Sequence, residues 1–186
     1  MRWDGLFGDL DAQWHAAEQQ DLELRVNELA RMEAARLTLA DALRGGLGGE
    51  VGAVLRNGVA HHGLLQRVED QWMLLLEGGR SVVVPLAKVL RVSGLGPARA
   101  SRRGRVHHSL AAALRVLARN RAVVVLELES IQPSRLRGVL DQVGADYVVV
   151  QQLADGVVRA RDNQQGRVVV PVEAMVSIMS AADNEF

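Results

Sequence analysis

The sequence predicts an α+β protein that is mostly β, in which a helical N-terminal arm precedes two tandem five-stranded bent barrels, each introduced by a helix. Three observations support this class. Apolar residues follow a helical spacing near the N-terminus, three short blocks recur in the same order, and glycine-containing turns separate short apolar runs. We assign residues 1–45 to the arm, 46–95 to the first barrel, 96–107 to a basic linker, and 108–182 to a helix plus the second barrel.

The arm is predicted to contain two helices. Residues 6–20 carry apolar side chains at helical spacing, and a second helix is expected over residues 21–44. The pair Gly45-Gly46 ends it, because glycine is favoured just past a helix C-terminus. The arm either packs on its own barrel or forms a coiled-coil dimer. We favour packing within the chain, since Glu33 and Arg36 interrupt any strict heptad.

Aligning the chain with itself reveals a duplicated unit. Its three blocks recur at offsets of 71, 75 and 86 residues: Leu39–Arg44 matches Leu110–Arg115, Gly63–Val68 with Trp72 matches Gly138–Val143 with Tyr147, and Val82–Leu86 matches Val168–Val172. The offsets grow in segments that look like loops, as expected for duplicated units with loop insertions. We therefore expect Trp72 and Tyr147 at matching positions. We also expect each Val-Val-Val-Pro block to form an equivalent strand that ends at its proline.

Each unit is predicted to hold five short strands. Asn57-Gly58 is a strong hairpin signal, and Gly78-Gly79 predicts another hairpin. Five strands joined by tight turns are too few for a sandwich and fit a small, strongly bent barrel. The predicted strands are Val51–Arg56, His62–Val68, Trp72–Glu77, Arg80–Val84, Val89–Val92, Ala122–Glu129, Arg135–Val143, Tyr147–Leu153, Gly166–Val170 and Met175–Met179.

Two glycine-to-aromatic spacings resemble the Sm-like family, whose units have an N-terminal helix and a five-stranded bent sheet. In that family a glycine stands about nine residues before an aromatic or apolar pair, as in Gly63…Trp72-Met73 and Gly138…Tyr147-Val148. The resemblance covers about two-thirds of the chain and implies tandem Sm-like barrels. Sm-like units join by pairing edge strands, and two units in one chain could pair with each other in the same way.

The resemblance does not imply uridine binding of the Sm kind. The RNA-binding members carry an asparagine after the first of these motifs and an Arg-Gly pair in a second motif. The residues found near those two places here are Leu74 and Val149, and Pro85-Leu86 and Pro171-Val172.

The opening of the chain resembles a different group. Residues 2–10 are similar to the start of actinobacterial proteins labelled as Fis-type regulators. No helix-turn-helix supports that label, because roughly the last forty residues are predicted to be strand-like.

Several classes of chemistry lack their usual residues. The chain has no cysteine, which excludes disulfides and cysteine nucleophiles and fits a reducing cytoplasm. No apolar run reaches the roughly 18 residues of a membrane span, and no serine-nucleophile elbow is present. His61-His62 and His107-His108 are expected to be exposed or in turns, because neighbours on a strand point to opposite faces and cannot share one ion. We therefore predict a cytoplasmic, non-enzymatic protein with no cofactor, metal, membrane contact or small-molecule substrate.

The main electrostatic feature is a basic segment. Residues 96–121 hold seven arginines and no acidic residue, within a chain of formal net charge zero. Ser109 is predicted to cap a helix in this segment. Arginines on an open face would contact the phosphates of RNA or DNA, whereas arginines paired with the acidic arm would favour a protein partner or a homo-oligomer. The candidate nucleic-acid-binding residues are Arg99, Arg102, Arg103, Arg105, Arg115, Arg119 and Arg121.

Overall fold

A computed structural model describes residues 19, 22–32, 35–96, 108–132, 134–153 and 164–180. The predicted class is confirmed, since these residues form an α+β protein dominated by antiparallel sheet. The elements are α1 (22–32), α2 (Leu39–Gly45), β1 (Glu50–Leu55), β2 (Ala60–Val68), β3 (Trp72–Glu77), β4 (Arg80–Pro85), β5 (Val89–Ser93), α3 (Leu110–Arg119), β6 (Val123–Leu128), β7 (Ser134–Val143), β8 (Tyr147–Leu153), β9 (Gln164–Pro171) and β10 (Met175–Ser180).

The chain divides into two compact units, residues 1–38 and residues 39–186. In the first unit, α1 exposes apolar side chains at helical spacing, and the helix predicted over residues 6–20 lies outside the described residues. The second unit contains α2, α3 and the ten strands. No helix in the described part of the chain is long and apolar enough to cross a membrane.

The continuous helix predicted over residues 21–44 is wrong. The chain turns at residues 35–36, and a new helix begins at Leu39. Thr38 directly precedes that helix, and threonine is favoured there because its hydroxyl can accept from N–H groups of the first turn. The end of α2 at Gly45 agrees with the prediction.

All ten strands belong to one sheet, in the order β5-β1-β2-β3-β4-β10-β6-β7-β8-β9. The order within β1–β5 is repeated within β6–β10, and a helix precedes the first strand of each set. We call α2 with β1–β5 the first repeat and α3 with β6–β10 the second repeat. The two are joined where β4 pairs with β10, so the repeats of this chain do pair by edge strands, which the sequence left as one of two alternatives.

The sheet is open, so the two bent five-stranded barrels predicted from the sequence are not confirmed. Strand β4 pairs with β10 of the other repeat instead of closing onto β5. The strands β5 and β9 therefore have one neighbour each among the described strands. Pairing between the repeats gives β4 and β10 a neighbour where each repeat would otherwise have an open edge.

The two repeats bend in the same way. The β2–β3 register shifts between Leu65 and Arg67, and the β7–β8 register shifts between Leu140 and Gln142, 75 residues further on. Such bulges bend the strand and increase its twist. The shared position of the shift shows that the repeat in the sequence is a repeat in the fold.

A glycine allows close approach of the backbone at the same place in each repeat. A Cβ on Gly63 would lie 2.2 Å from the carbonyl oxygen of Leu76, and a Cβ on Gly138 would lie 2.4 Å from that of Gln151. Both distances are below van der Waals contact, so a side chain at either position must push two strands apart. This close approach accounts for the glycine that both blocks share.

The Val-Val-Val-Pro blocks end equivalent strands, as predicted. Pro85 ends β4 opposite Trp72, and Pro171 ends β9 opposite Tyr147. A 3-10 turn follows each proline and leads into the last strand of its repeat. Proline lacks an N–H and cannot continue the ladder, which fixes the strand end.

The predicted hairpins are also confirmed. Gly58 has a φ of 82° in the turn between β1 and β2, where Asn57 Oδ1 accepts from the N–H of Val59 at 3.1 Å. Gly78 and Gly79 have φ values of 54° and 82° between β3 and β4. Positive φ at these positions matches the turns that favour a right-handed hairpin twist.

Each repeat has its own apolar core. In the second, Ser109 caps α3 as predicted by accepting from the N–H of Ala112 at 3.2 Å, and Leu110 and Leu114 are buried. The buried side chains of the first-repeat core include Leu43, Val51, Ala53, Leu55, Leu65, Met73, Leu75, Val82 and Val84. Those of the second-repeat core include Leu110, Leu114, Val124, Leu126, Leu136, Leu140, Val148, Val150, Val170, Met175 and Ile178.

Candidate functional site

Three of the seven candidate arginines lie in the described part of the chain. Arg115 and Arg119 are exposed on α3. Arg121 follows the helix, and its Nη2 lies 3.8 Å from Oδ1 of Asp141, so it already faces a carboxylate. The other four, Arg99, Arg102, Arg103 and Arg105, lie outside the described residues. Nucleic-acid binding therefore stays a prediction.

His61 on β2 is buried, contrary to the expectation for the histidine pairs. Its Nδ1 lies 2.8 Å from Oε2 of Glu77 on β3, and its Nε2 lies 3.1 Å from Oγ of Ser177 on β10. An ionised carboxylate only accepts hydrogen bonds, so Nδ1 of His61 carries a hydrogen and donates to Glu77, while Nε2 shares a hydrogen bond with the Ser177 hydroxyl. His62 and His108 are exposed, as expected, while His107 lies outside the described residues.

Glu77 holds the ring of His61 in place. Its Oε1 also accepts from the backbone N–H of His62 at 2.9 Å. Burial tends to raise the pKa of Glu77, but the hydrogen bonds from the His62 N–H and the His61 ring outweigh it and lower that pKa. The carboxylate therefore stays ionised and fixes the orientation of the imidazole.

Serine, histidine and carboxylate side chains in this order also form the catalytic triad of hydrolases. Here, however, solvent does not reach the serine. Ser177 is fully buried on β10, between β4 and β6, so its hydroxyl cannot meet a substrate. No group of three or more metal-ligating side chains is found within the ranges that the structure describes. The three side chains instead tie β2 and β3 of the first repeat to β10 of the second.

We call the pairing of β4 with β10 the internal joint. Val83 lies opposite Ile178 and Val82 lies opposite Met179. The side chain of Val83 packs into the second-repeat core, while that of Val176 packs into the first-repeat core. Side chains thus cross the internal joint in both directions, and each repeat completes the core of the other.

The turn between β2 and β3 completes the joint by holding the start of α3. The Glu69 carboxylate accepts from the N–H of His108 at 3.1 Å, and Gln71 Oε1 accepts from the N–H of Leu110 at 3.2 Å. Trp72 is buried in the second-repeat core, and its Nε1 donates to the carbonyl oxygen of His108 at 2.9 Å. The N-terminus of α3 is therefore positioned by the repeat that precedes it.

The outer strands expose the residues that the internal joint buries. Val169 on β9 occupies the position of Val83 on β4, yet Val169 is 62% exposed and Val83 is 9% exposed. Leu90 on β5 occupies the position of Val176 on β10, yet Leu90 is 68% exposed and Val176 is 0% exposed. Among the described strands, β5 and β9 lack the neighbour that covers their counterparts.

The helix and the turn show the same asymmetry. Leu39 at the start of α2 is 42% exposed, whereas its counterpart Leu110 on α3 is 8% exposed. Tyr147 is half-buried, whereas its counterpart Trp72 is buried. Leu110 and Trp72 are buried in one core at the internal joint, whereas Leu39 and Tyr147 have no such partner from another repeat among the described residues.

These edge residues were not predicted from the sequence, although the repeat alignment contained the signal. It matched Leu39 with Leu110 and Val82–Leu86 with Val168–Val172. What it lacked was the order of the repeats in the sheet, which decides which member of each pair is covered.

No protein-family model matches the chain, and no curated protein matches its sequence.

Proposed function

We propose that the protein is a non-enzymatic assembly protein built from two tandem Sm-like units, and that β9 of one copy pairs with β5 of the next. The observation that carries the proposal is the exposure of Val169 and Leu90, whose counterparts Val83 and Val176 are buried at the internal joint.

The repeat architecture supports the Sm-like assignment. Each repeat has a helix and then five strands in the spatial order fifth, first, second, third, fourth. The resembled family has this arrangement of a helix and a bent five-stranded sheet, and its units join by edge strands. The relation of β4 to β10 is a joint of that kind within one chain.

The internal joint supplies the register for a joint between copies. Ile178 lies opposite Leu126, and its counterpart Val92 lies opposite Ala53 in the first repeat. Because Val83 lies opposite Ile178, the same geometry places Val169 of one copy opposite Val92 of the next. The sheet then continues without a change of direction or spacing.

A joint between β9 and β5 would be stabilised by the same two effects as the internal joint, which are burial of apolar side chains and backbone pairing. Full burial of an apolar side chain such as Leu90 or Val169 contributes about 1.5–3 kcal/mol. Edge N–H and C=O groups gain ladder partners at the same time. Association costs several kcal/mol in lost rotational and translational freedom, so we expect the assembly to depend on protein concentration.

The predicted assembly is head to tail. Since β5 and β9 are different surfaces, each copy uses both of them, and successive copies are related by one repeated rotation. Such a contact generates a ring if the rotation closes and a filament if it does not.

Sedimentation velocity over a range of concentrations tests the proposal. We expect the wild type to form oligomers, and Val169→Asp and Leu90→Asp each to dissociate them, because a carboxylate would be buried at the joint. Val116→Asp is the matched control, since Val116 is 53% exposed but lies on α3. A wild type that stays monomeric throughout would contradict the proposal, as would dissociation by the control.

Mixing the two edge variants tests the direction of assembly. The Val169→Asp chain keeps an intact β5, and the Leu90→Asp chain keeps an intact β9. An equimolar mixture should therefore form dimers and nothing larger. Larger species in the mixture would contradict a head-to-tail joint.

A second candidate function is nucleic-acid binding. It is favoured by Arg115 and Arg119, which are exposed on α3 within a segment that has no acidic residue. Arginine suits bidentate contact with phosphate, and such contacts would be independent of the edge strands.

A further inference from the structure

The internal joint contains a polar network whose counterpart at the outer edges is different in every member. The network consists of His61, Glu77 and Ser177. In the second repeat, the positions of His61 and Glu77 hold Leu136 and Gln152, each 75 residues further on. On β5 the position of Ser177 holds Arg91, since Arg91 lies opposite Val54 as Ser177 lies opposite Glu127.

The difference between Ser177 on β10 and Arg91 on β5 disfavours the pairing of β5 with β4. If β5 of another copy took the place of β10, a guanidinium would replace the fully buried hydroxyl of Ser177. Ser177 is 0% exposed and its hydroxyl meets the His61 ring, so the longer Arg91 side chain would have to fit against that ring in a closed space that a serine already fills. A buried charge without full pairing is strongly unfavourable.

The opposite wrong combination is also penalised. If β10 of another copy paired with β9, Ser177 would meet the apolar side chain of Leu136 instead of the His61 ring. Its buried hydroxyl would lose the hydrogen-bond partner that it has at the internal joint. The combination of β5 with β9 avoids this cost, because Arg91 can extend along Leu136 towards the amide of Gln152.

We propose that the hydrogen bond between His61 and Ser177, held in place by Glu77, is a specificity determinant that assigns β10 to β4 and leaves β5 for β9. That β5 of another copy competes with β10 for β4 rests on the proposed function, in which copies of the chain meet through β5. This hydrogen bond keeps β4 paired with β10 of the same chain while β5 and β9 join different copies.

The absence of cysteine from the chain allows the wrong joint to be read directly by disulfide cross-linking. One chain carries Val83→Cys on β4 and a second carries Val92→Cys on β5. These two positions face each other only if β5 has displaced β10, because Val92 is the counterpart of Ile178. In otherwise unaltered chains we expect little cross-linked product after mild oxidation.

Two changes should raise the yield of this product, each by about tenfold or more, the ratio that corresponds to about 1.4 kcal/mol. Arg91→Ser in the Val92→Cys chain makes β5 resemble β10, and Arg91 is exposed, so the fold should be kept. The double change His61→Leu with Ser177→Ala in the Val83→Cys chain removes the polar network in favour of apolar groups, which often preserves stability. Arg56→Ser, at an exposed arginine in the first hairpin turn, is the control.

The outcomes separate this inference from the proposed function. An unchanged yield of the product from Val83→Cys and Val92→Cys in both altered backgrounds overturns the determinant. A rise that Arg56→Ser produces equally well also overturns it. A wild type that is monomeric in sedimentation, together with a raised yield after Arg91→Ser, counts against the proposed function and supports the determinant.

Discussion

Val83 and Val169 occupy the same register position in two copies of one structural unit, and only Val83 is covered. Val83 lies opposite Leu74, and Val169 lies opposite Val149 in the same way. Val83 has β10 beside it, whereas β9 has no further described strand at that edge. The difference in burial therefore reports a neighbouring strand, which β4 has and which β9 lacks among the described strands.

Replacing Trp72 tests whether the first repeat positions α3. Trp72→Ala should lower the free energy of unfolding by about 3–5 kcal/mol, because a buried ring is removed together with its hydrogen bond to His108. Tyr147→Ala at the matching, half-buried position should cost clearly less in dilute protein. Chemical denaturation of both variants checks this, and equal losses of stability would count against the asymmetry between the repeats.

The two close-approach glycines should respond alike. Gly63→Ala and Gly138→Ala should each destabilise the fold by about 1–3 kcal/mol, since the new Cβ would overlap a carbonyl oxygen of the next strand. Gly96→Ala is the control, because a Cβ there meets nothing within 4 Å. Thermal unfolding is the measurement, and a neutral effect at Gly63 or Gly138 would contradict the tight bend.

The lowered pKa of Glu77 predicts a dependence of stability on pH. Because its pKa in the folded state lies below the ordinary value of 4.5, the unfolded chain takes up this proton first as pH falls. The contribution of Glu77 is complete above that ordinary value and is lost as pH falls through the folded-state pKa. Glu77→Gln should therefore be less stable than the wild type near neutral pH.

The same variant should also lose less stability than the wild type between neutral and acidic pH. Glu69 contributes a similar acid sensitivity that remains: burial tends to raise its pKa, but Arg67 and the His108 N–H lower it overall. Urea denaturation at several pH values measures both effects, with Glu50→Gln, an exposed carboxylate on β1, as the control. Parallel pH profiles for Glu77→Gln and the wild type would show that the Glu77 hydrogen bonds do not form.

Salt dependence tests nucleic-acid binding by the basic segment. If the arginines bind phosphates, affinity for RNA or DNA should fall steeply with salt concentration, because each neutralised phosphate releases condensed counterions. Replacing Arg102, Arg103 and Arg105 by alanine should reduce that slope by about one unit for each arginine that binds a phosphate. Titration of labelled single- and double-stranded RNA and DNA measures this. Identical slopes for wild type and variant would remove the basis for this candidate function.

Local signals in the sequence were sufficient to predict the strands. Asn57-Gly58 and Gly78-Gly79 determine hairpins through residues adjacent in the chain, and the two prolines end their strands through their own covalent structure. The strand bounds follow from such local effects and differ little from those predicted.

Long-range pairing could not be predicted in the same way. The internal joint brings Val83 beside Ile178, and no local pattern specifies a partner so distant in sequence. The burial of His61 depends on the same joint, because Ser177 reaches it from β10. Strand alternation showed that His61 and His62 face opposite sides, but it did not say which side would be covered.

The most direct test of the central claim is disulfide cross-linking between the two edges of different copies. A chain carrying both Val92→Cys and Val169→Cys should form a series of covalent oligomers under mild oxidation, because the register of the internal joint places these residues opposite each other in adjacent copies. Reductant should return all of them to monomer. If the chain stays monomeric, or if a control with Val92→Cys and Val116→Cys gives the same series, copies of this protein do not join through β9 and β5.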